Sequence, residues 1–315
     1  MGAKFGETAY DSFKKYLIDN IGDSSKNRPH LFAMFCNNYA LLLSSLSDLI
    51  EEDKDMLVKS KALTAHIHME GYQISPFIEN LENAGTDFYN AQMWNETIQC
   101  YNDVIKEYSH DLDPDDIQNC YWFIISAAIK KHSPKEVKQY YSESKELYCS
   151  YGPGAIEATK YFAISTQDYF RYHFENSKEY EEITTKTDWL WEQKTMKKKF
   201  PLEYGIAMYG LGMCHIEKEN KEEAVKALRL TVDLLQDDAP GFYYDKSIEA
   251  AKALTELGEN SGHKYEHRSP SMIKKLWYTL IKPFQIIALL IMYIFYFLTG
   301  IRKEESKGSK RDRKT

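Results

Sequence analysis

Apolar residues recur at three- and four-residue spacing along most of this chain, and the strict alternation of half-buried strands is nearly absent. Only nine prolines interrupt 315 residues, so the pattern predicts an all-α protein. Tyr10–Ile21, His30–Leu49 and Asp55–Tyr72 read as three amphipathic helices, and Ser75-Pro76 breaks the periodicity and opens the next. Beyond it the helical stretches come in pairs joined by short polar turns.

One segment departs from the amphipathic pattern altogether. Pro283–Ile301 (PFQIIALLIMYIFYFLTGI) runs 19 residues without a charge, with Gln285 and Thr299 as its plainly polar side chains. At a rise of about 1.5 Å per residue, a helix of this length spans the roughly 30 Å hydrocarbon core of a bilayer. Lys274, Lys275 and Lys282 precede it and Arg302 and Lys303 follow it, while Trp277, Tyr278, Tyr293 and Tyr296 suit the aromatic and basic belts of a membrane interface. A single transmembrane anchor is expected here, with a buried terminal helix as the soluble alternative. No charged and apolar leader opens the sequence, so the body before the anchor is expected in the cytoplasm. Basic residues on both sides leave the topology of the short tail open. The plan is similar to that of tail-anchored proteins of the mitochondrial outer membrane, and that membrane or the endoplasmic reticulum is expected if the source is a eukaryote.

Charge is divided unevenly. Lys264–Thr315 holds 12 basic and 4 acidic residues, a net +8, and the remaining 28 basic and 43 acidic residues leave the body at −15. An acidic body lacks the clustered cations with which a nucleic-acid footprint displaces counterions, whereas a basic end is drawn to anionic headgroups. Five cysteines (Cys36, Cys100, Cys120, Cys149, Cys214) are odd in number and form no C-x-x-C pair. They predict reduced thiols rather than a disulfide framework or a zinc site. The sequon at Asn95 falls within a predicted helix, and Met1-Gly2 is followed by Gly6 where a myristoylation signal has Ser or Thr.

The clearest helix pair is Tyr204–Leu235, with its turn at Glu217-Lys218-Glu219-Asn220. Leu211-Gly212 in the first helix, Ala224 twelve residues after the glycine, and Val225, Leu228 and Val232 beyond resemble the tetratricopeptide repeat. Small residues at Gly212 and Ala224 would let the two helices cross closely. A second copy is Asn80–Tyr108, with Ala84-Gly85 at the pair, Trp94 in the turn, and Ile98, Tyr101 and Val104 facing inward. Thr97 stands there in place of the alanine. Weaker units follow at Tyr121–Tyr148 and Tyr161–Trp191, spaced by roughly 40 residues rather than the family's 34, and Tyr244–Leu257 reads as a capping helix.

Candidate chemistry is sparse. His66, His68 and Glu70 are two residues apart and diverge around a helix, so they make no ligand set. Asp111, Asp113, Asp115 and Asp116 are interrupted by Pro114 and lack the glycine and bidentate glutamate of a calcium loop, and a solvated helix start accounts for them. Gly152-Pro153-Gly154 lacks the lysine and hydroxyl of a phosphate loop and reads as a connection between repeats. Leu254–Glu259 is similar in outline to the death motif of apoptosis regulators, but Gly258 serves equally as a helix C-cap. No general-base constellation, metal site or cofactor site is legible, and no catalytic role is expected.

The reading is an all-α, tetratricopeptide-like solenoid of helical hairpins followed by one C-terminal transmembrane helix. Residues 1–75 form an N-terminal helical region, 76–260 the repeat domain with its cap, 261–282 a basic juxtamembrane linker, 283–301 the span and 302–315 the tail. The resemblance implies a concave surface built by the first helices, at Glu79, Glu82, Thr86, Tyr89 and Asn90 in one unit and Tyr209, Met213, Ile216 and Glu217 in the other. Chaperone-binding members of the family hold a terminal carboxylate with Lys and Asn at such positions. Here Glu82 and Thr86, or Tyr209 and Met213, stand there, which favours a basic or amphipathic protein partner instead. Helical repeats, a span and a basic tail are similar to the plan of mitochondrial fission adaptors, so a membrane-anchored adaptor or scaffold is expected. The alternative is a membrane-active helical regulator of the apoptosis or pore-forming type, with an enzyme as the third reading.

Overall fold

The computed structural model describes residues 29–50, 54–151, 160–177, 180–185, 187–235 and 241–260, together with Thr8, Asp11, Ser12 and Lys15. Within them lie thirteen helices and no strand. They are α1 (Pro29–Ile50), α2 (Lys54–Ile74), α3 (Ile78–Asn90), α4 (Trp94–Tyr108), α5 (Pro114–Lys130), α6 (Pro134–Ser150), α7 (Lys160–Tyr172), α8 (Tyr180–Thr185), α9 (Asp188–Trp191), α10 (Lys194–Lys199), α11 (Pro201–Glu217), α12 (Lys221–Leu235) and α13 (Gly241–Glu256). The arrangement is repeat-like and compatible with a helical solenoid. Most of the expected first helix, the Gly152-Pro153-Gly154 loop and the Pro283–Ile301 segment lie outside the described residues. Among the described residues no helix is long and apolar enough to cross a membrane.

The helices begin where local chemistry satisfies their free amides. Pro114, Pro134 and Pro201 occupy the first turns of α5, α6 and α11, where a missing N–H costs nothing. Asp113 caps α5, its Oδ1 accepting from the amides of Asp115 at 2.9 Å and Asp116 at 3.0 Å. The acidic run is thus a helix start.

Three hairpin turns share one backbone solution. Gln92, His132 and Glu219 each adopt positive φ, at 60°, 52° and 56°. At each turn the next residue's amide returns to a carbonyl five residues back: Met93 to Phe88, Ser133 to Ala128, and Asn220 to His215. The end of α13 repeats the device with Gly258 at φ 79° and Glu259 bonded to Leu254. Gly258 is therefore a helix cap, and the buried Leu254 belongs to the core.

Successive helices pack as neighbours from α1 to α6, and α5, α7 and α11 then lie side by side, with α12 on α11 and α13 on α12. Close approaches depend on glycine. A Cβ on Gly212 would meet Leu228 Cγ at 2.8 Å, and one on Gly85 would meet the Tyr101 ring at 2.8 Å. Ala224 is fully buried in the same hairpin as Gly212. Buried rings fill the middle of the stack, where Tyr141 stacks on Tyr169 at 3.8 Å and Tyr148 on Phe162 at 4.0 Å.

Between α1, α2 and α3 a polar seam adjoins the apolar cluster of Phe32, Cys36, Ala40, Leu43 and Ile67. Lys61, 4% exposed, donates from Nζ to Ser44 O at 3.1 Å, Ser44 Oγ at 2.6 Å and Asp48 Oδ2 at 2.9 Å. Ser44 donates in turn to Asp87 at 3.1 Å. Burial raises the Asp87 carboxyl above its ordinary value, although Thr64, Lys61 and Ser44 pull the other way. His68, fully buried, lies 3.4 Å from Asn80 Oδ1 and 3.8 Å from Asp87 Oδ2. Burial outweighs the Asn80 contact and pushes its pKa down to about 4, so it packs as the neutral ring. The arrangement is a polar seam in which His68 Nε2 and Ser60 Oγ are buried without a hydrogen-bond partner, and among the described residues no group of three or more His, Cys, Asp or Glu side chains could hold a metal ion.

Candidate partner-binding face

The first helices α3, α5 and α7 bring a row of half-buried aromatic rings together. Tyr89 on α3 meets Phe123 on α5 edge-on at 5.5 Å and Trp94 at 5.4 Å. Phe123 stacks on Tyr101 at 4.5 Å and adjoins Trp122 at 4.7 Å, which reaches Tyr161 on α7 at 6.0 Å. Hydrogen bonds fix the row. Tyr89 Oη lies 2.6 Å from Ser126 Oγ, and Trp122 Nε1 donates to Asp168 Oδ2 at 3.3 Å. Half-buried rings held in this way along α3, α5 and α7 lose little entropy when a partner covers them.

Carboxylates border the row. Burial raises the Glu82 carboxyl, and the neighbouring Asp116 and Glu79 raise it further. Asp116 is raised by its own burial and by Asp113. Asp168 is raised by burial, against the pull of Arg171, Trp122, Gln167 and Lys130. Asp116 and Glu79 thus repel Glu82 across α3 and α5, so a cation arriving there would relieve it.

The two sets of residues expected from the sequence meet different fates. Glu79 and Asn90 are exposed and Glu82, Thr86 and Tyr89 are half-buried along α3, and Thr86 Oγ1 lies 2.8 Å from Tyr101 Oη. Tyr209 on α11 is 4% exposed. Its hydroxyl donates to Glu249 of α13 at 2.7 Å, and Lys246 stands 5.0 Å over its ring. Met213 and Ile216 are half-buried against the same cluster, and Glu217 alone of the four is exposed. The α13 helix therefore covers the part of α11 where the second set was expected, and the structure does not bring the two sets together.

Trp122, Phe123, Tyr161 and Asp168 complete the row and were not singled out from the sequence. The run Tyr121-Trp122-Phe123 on a helix rich in small and apolar residues was the available signal. His66, His68 and Glu70 do not converge, since His66 packs against Phe88 at 5.3 Å while His68 belongs to the polar seam. His215, with both ring nitrogens unbonded, is buried between α11 and α12 and has its pKa lowered by that burial. Comparison of the chain with protein-family models, with curated proteins and with solved structures gives no match in any of the three.

Proposed function

We propose that this protein is a membrane-tethered adaptor whose tetratricopeptide-like body binds a basic or amphipathic segment of a partner protein. The observation that carries the reading is the aromatic row from Tyr89 through Phe123 and Trp122 to Tyr161, bordered by Glu79, Glu82 and Asp116. Aromatic surface supplies contact energy, and the acids supply selectivity for positive charge. In this reading Pro283–Ile301 holds the body at a membrane, and the polar seam and hairpin turns serve as scaffold.

A labelled amphipathic peptide rich in Lys and Arg tests the face, beside the same peptide with Glu at the basic positions. Full-length protein in mild detergent is expected to bind the first and not the second, with affinity falling as salt rises. Equal binding of both peptides, or undiminished binding by a Tyr89→Ala/Trp122→Ala variant, would remove the basis for this reading. Resistance of the full chain to carbonate extraction from vesicles tests the tether separately.

A further inference from the structure

The outward side of α1 is apolar. Phe32, Cys36, Ala40 and Leu43 turn into the core with Ile67 of α2, and Leu31, Met34, Phe35 and Leu42 recur at helical spacing on the other side. Met34 is 49% exposed, and Leu31, Phe35 and Leu42 are half-buried. The described residues of the N-terminal segment form one polar stripe. Thr8, Asp11, Ser12 and Lys15 fall at helical spacing, all four are exposed, and the Ser12 hydroxyl donates to Thr8 O at 2.7 Å, one helical turn back. On such a helix the opposite side carries Tyr10, Phe13, Leu17 and Ile21. Asp11 also lies within reach of α1, because burial raises the Tyr39 hydroxyl and the Asp11 carboxylate raises it further.

We propose that the apolar side of α1 is a docking face for the chain's own segment Tyr10–Ile21, laid antiparallel so that Tyr10, Phe13, Leu17 and Ile21 cover Leu31, Met34, Phe35 and Leu42. Two independent observations agree on the register. Asp11 beside Tyr39 sets which residues are level, and since both helices rise by about 1.5 Å per residue, Ile21 then stands level with Pro29, the first residue of α1. Midway between Asp11 and Tyr39 lies Ser25, which is also the centre of the polar run Gly22–Arg28 (GDSSKNR). A run of that length and composition is what an antiparallel helix pair needs at its turn. The same short connection favours this occupant over a second copy or a foreign segment, because it holds Tyr10–Ile21 at a high effective concentration beside the face. The stripe of Thr8, Asp11, Ser12 and Lys15 stays in water.

Benzoylphenylalanine placed at Leu31, Met34 or Leu42 of the full-length chain in mild detergent, followed by irradiation and peptide mapping, tests the face and the register together. Crosslinks are expected within one chain and inside the N-terminal segment, from Leu31 to Leu17–Ile21 and from Leu42 to Thr8–Phe13. Met34 should reach the positions between. A Phe13→Glu/Leu17→Glu variant should lower the yield from Met34 by about tenfold or more, since two carboxylates are costly in an apolar contact, and Phe13→Leu should leave it unchanged. Crosslinks between chains would overturn the proposal in favour of a second copy as the occupant. Crosslinks to Pro283–Ile301 or to detergent alone would overturn it too, as would Leu31 and Leu42 reaching the segment in the reverse order or in no order. The maps from the three probe positions stand even where the glutamate variant does not fold. Where it folds, an undiminished yield from Met34 overturns the proposal.

Discussion

Gly210 of α11 lies against the main chain of Phe170 on α7, so that a Cβ at Gly210 would stand 2.8 Å from the Phe170 carbonyl carbon and 2.9 Å from its oxygen. The Arg171 nitrogen is 3.0 Å away. A flexible side chain could yield to such a methyl, but helix backbone cannot without moving one helix against the other. Gly210→Ala is therefore expected to cost about 2–3 kcal/mol. Gly241→Ala, where no atom lies within 4 Å, should be neutral or slightly stabilising. Urea melts of the two variants check the contrast, and equal stability would mean that α7 and α11 do not cross here.

The positive-φ turns give a second expectation with the opposite sign. Gln92, His132 and Glu219 occupy a backbone region in which a side chain costs roughly 1 kcal/mol and glycine costs little. Each of Gln92→Gly, His132→Gly and Glu219→Gly should raise stability by up to about 1 kcal/mol, and Gly258→Ala should lower it by a similar amount. Thermal melts that showed the three glycine variants destabilised would contradict the shared turn.

Acid should weaken the junction of α1, α2 and α3 through His68. Its folded pKa lies near 4, below the unfolded value near 6.5, so between these pH values the unfolded chain takes up a proton that the folded one refuses. The stabilisation is fully present above about pH 6.5, is lost as pH falls toward 4, and amounts to about 3 kcal/mol. Asp87, with its raised carboxyl, works in the opposite sense and binds a proton more readily when folded. Comparing wild type with His68→Gln isolates the histidine. The variant should be less stable at pH 7 yet show a flatter decline in urea midpoint between pH 6.5 and 4, and parallel profiles would show that His68 does not carry the acid sensitivity.

How much of this was legible depends on whether the information is local. Apolar periodicity placed α1 to α4 and the α11–α12 hairpin to within a few residues, and Gly212 faces Leu228 inside that hairpin. The polar seam was hidden, because Ser60, Lys61, Thr64 and His68 recur at the spacing of a solvent-facing stripe, and their burial depends on Ser44, Asp48 and Asp87 from two other helices. The weak unit Tyr161–Trp191 is less regular than a helical hairpin. After α7 its chain passes through a π-helical turn at His173–Ser177 and the short α8 and α9. Tyr209 shows the limit most plainly, since its type and register suit either a groove or a core, and the folding of α13 over α11 decides between them.

The last prediction concerns how binding to the aromatic face divides into rates. Tyr89 and Trp122 offer buried contact area once a partner is seated, so Tyr89→Ala/Trp122→Ala should act mainly on dissociation, weakening affinity for the basic peptide by roughly 30-fold or more. Glu79 and Glu82 act at a distance. Their reversal to Lys should slow association by about tenfold at low ionic strength, with the difference from wild type shrinking as salt rises. Because burial, Asp116 and Glu79 already raise the Glu82 carboxyl, a bound cation should draw its pKa down and release a proton. Affinity should therefore rise with pH through the carboxylate range and level off once Glu82 is ionised without help. Stopped-flow association and dissociation measured across salt and pH separate the two contributions. Aromatic variants that changed only association, or a peptide affinity independent of pH where Glu82 titrates, would place the contact away from this face.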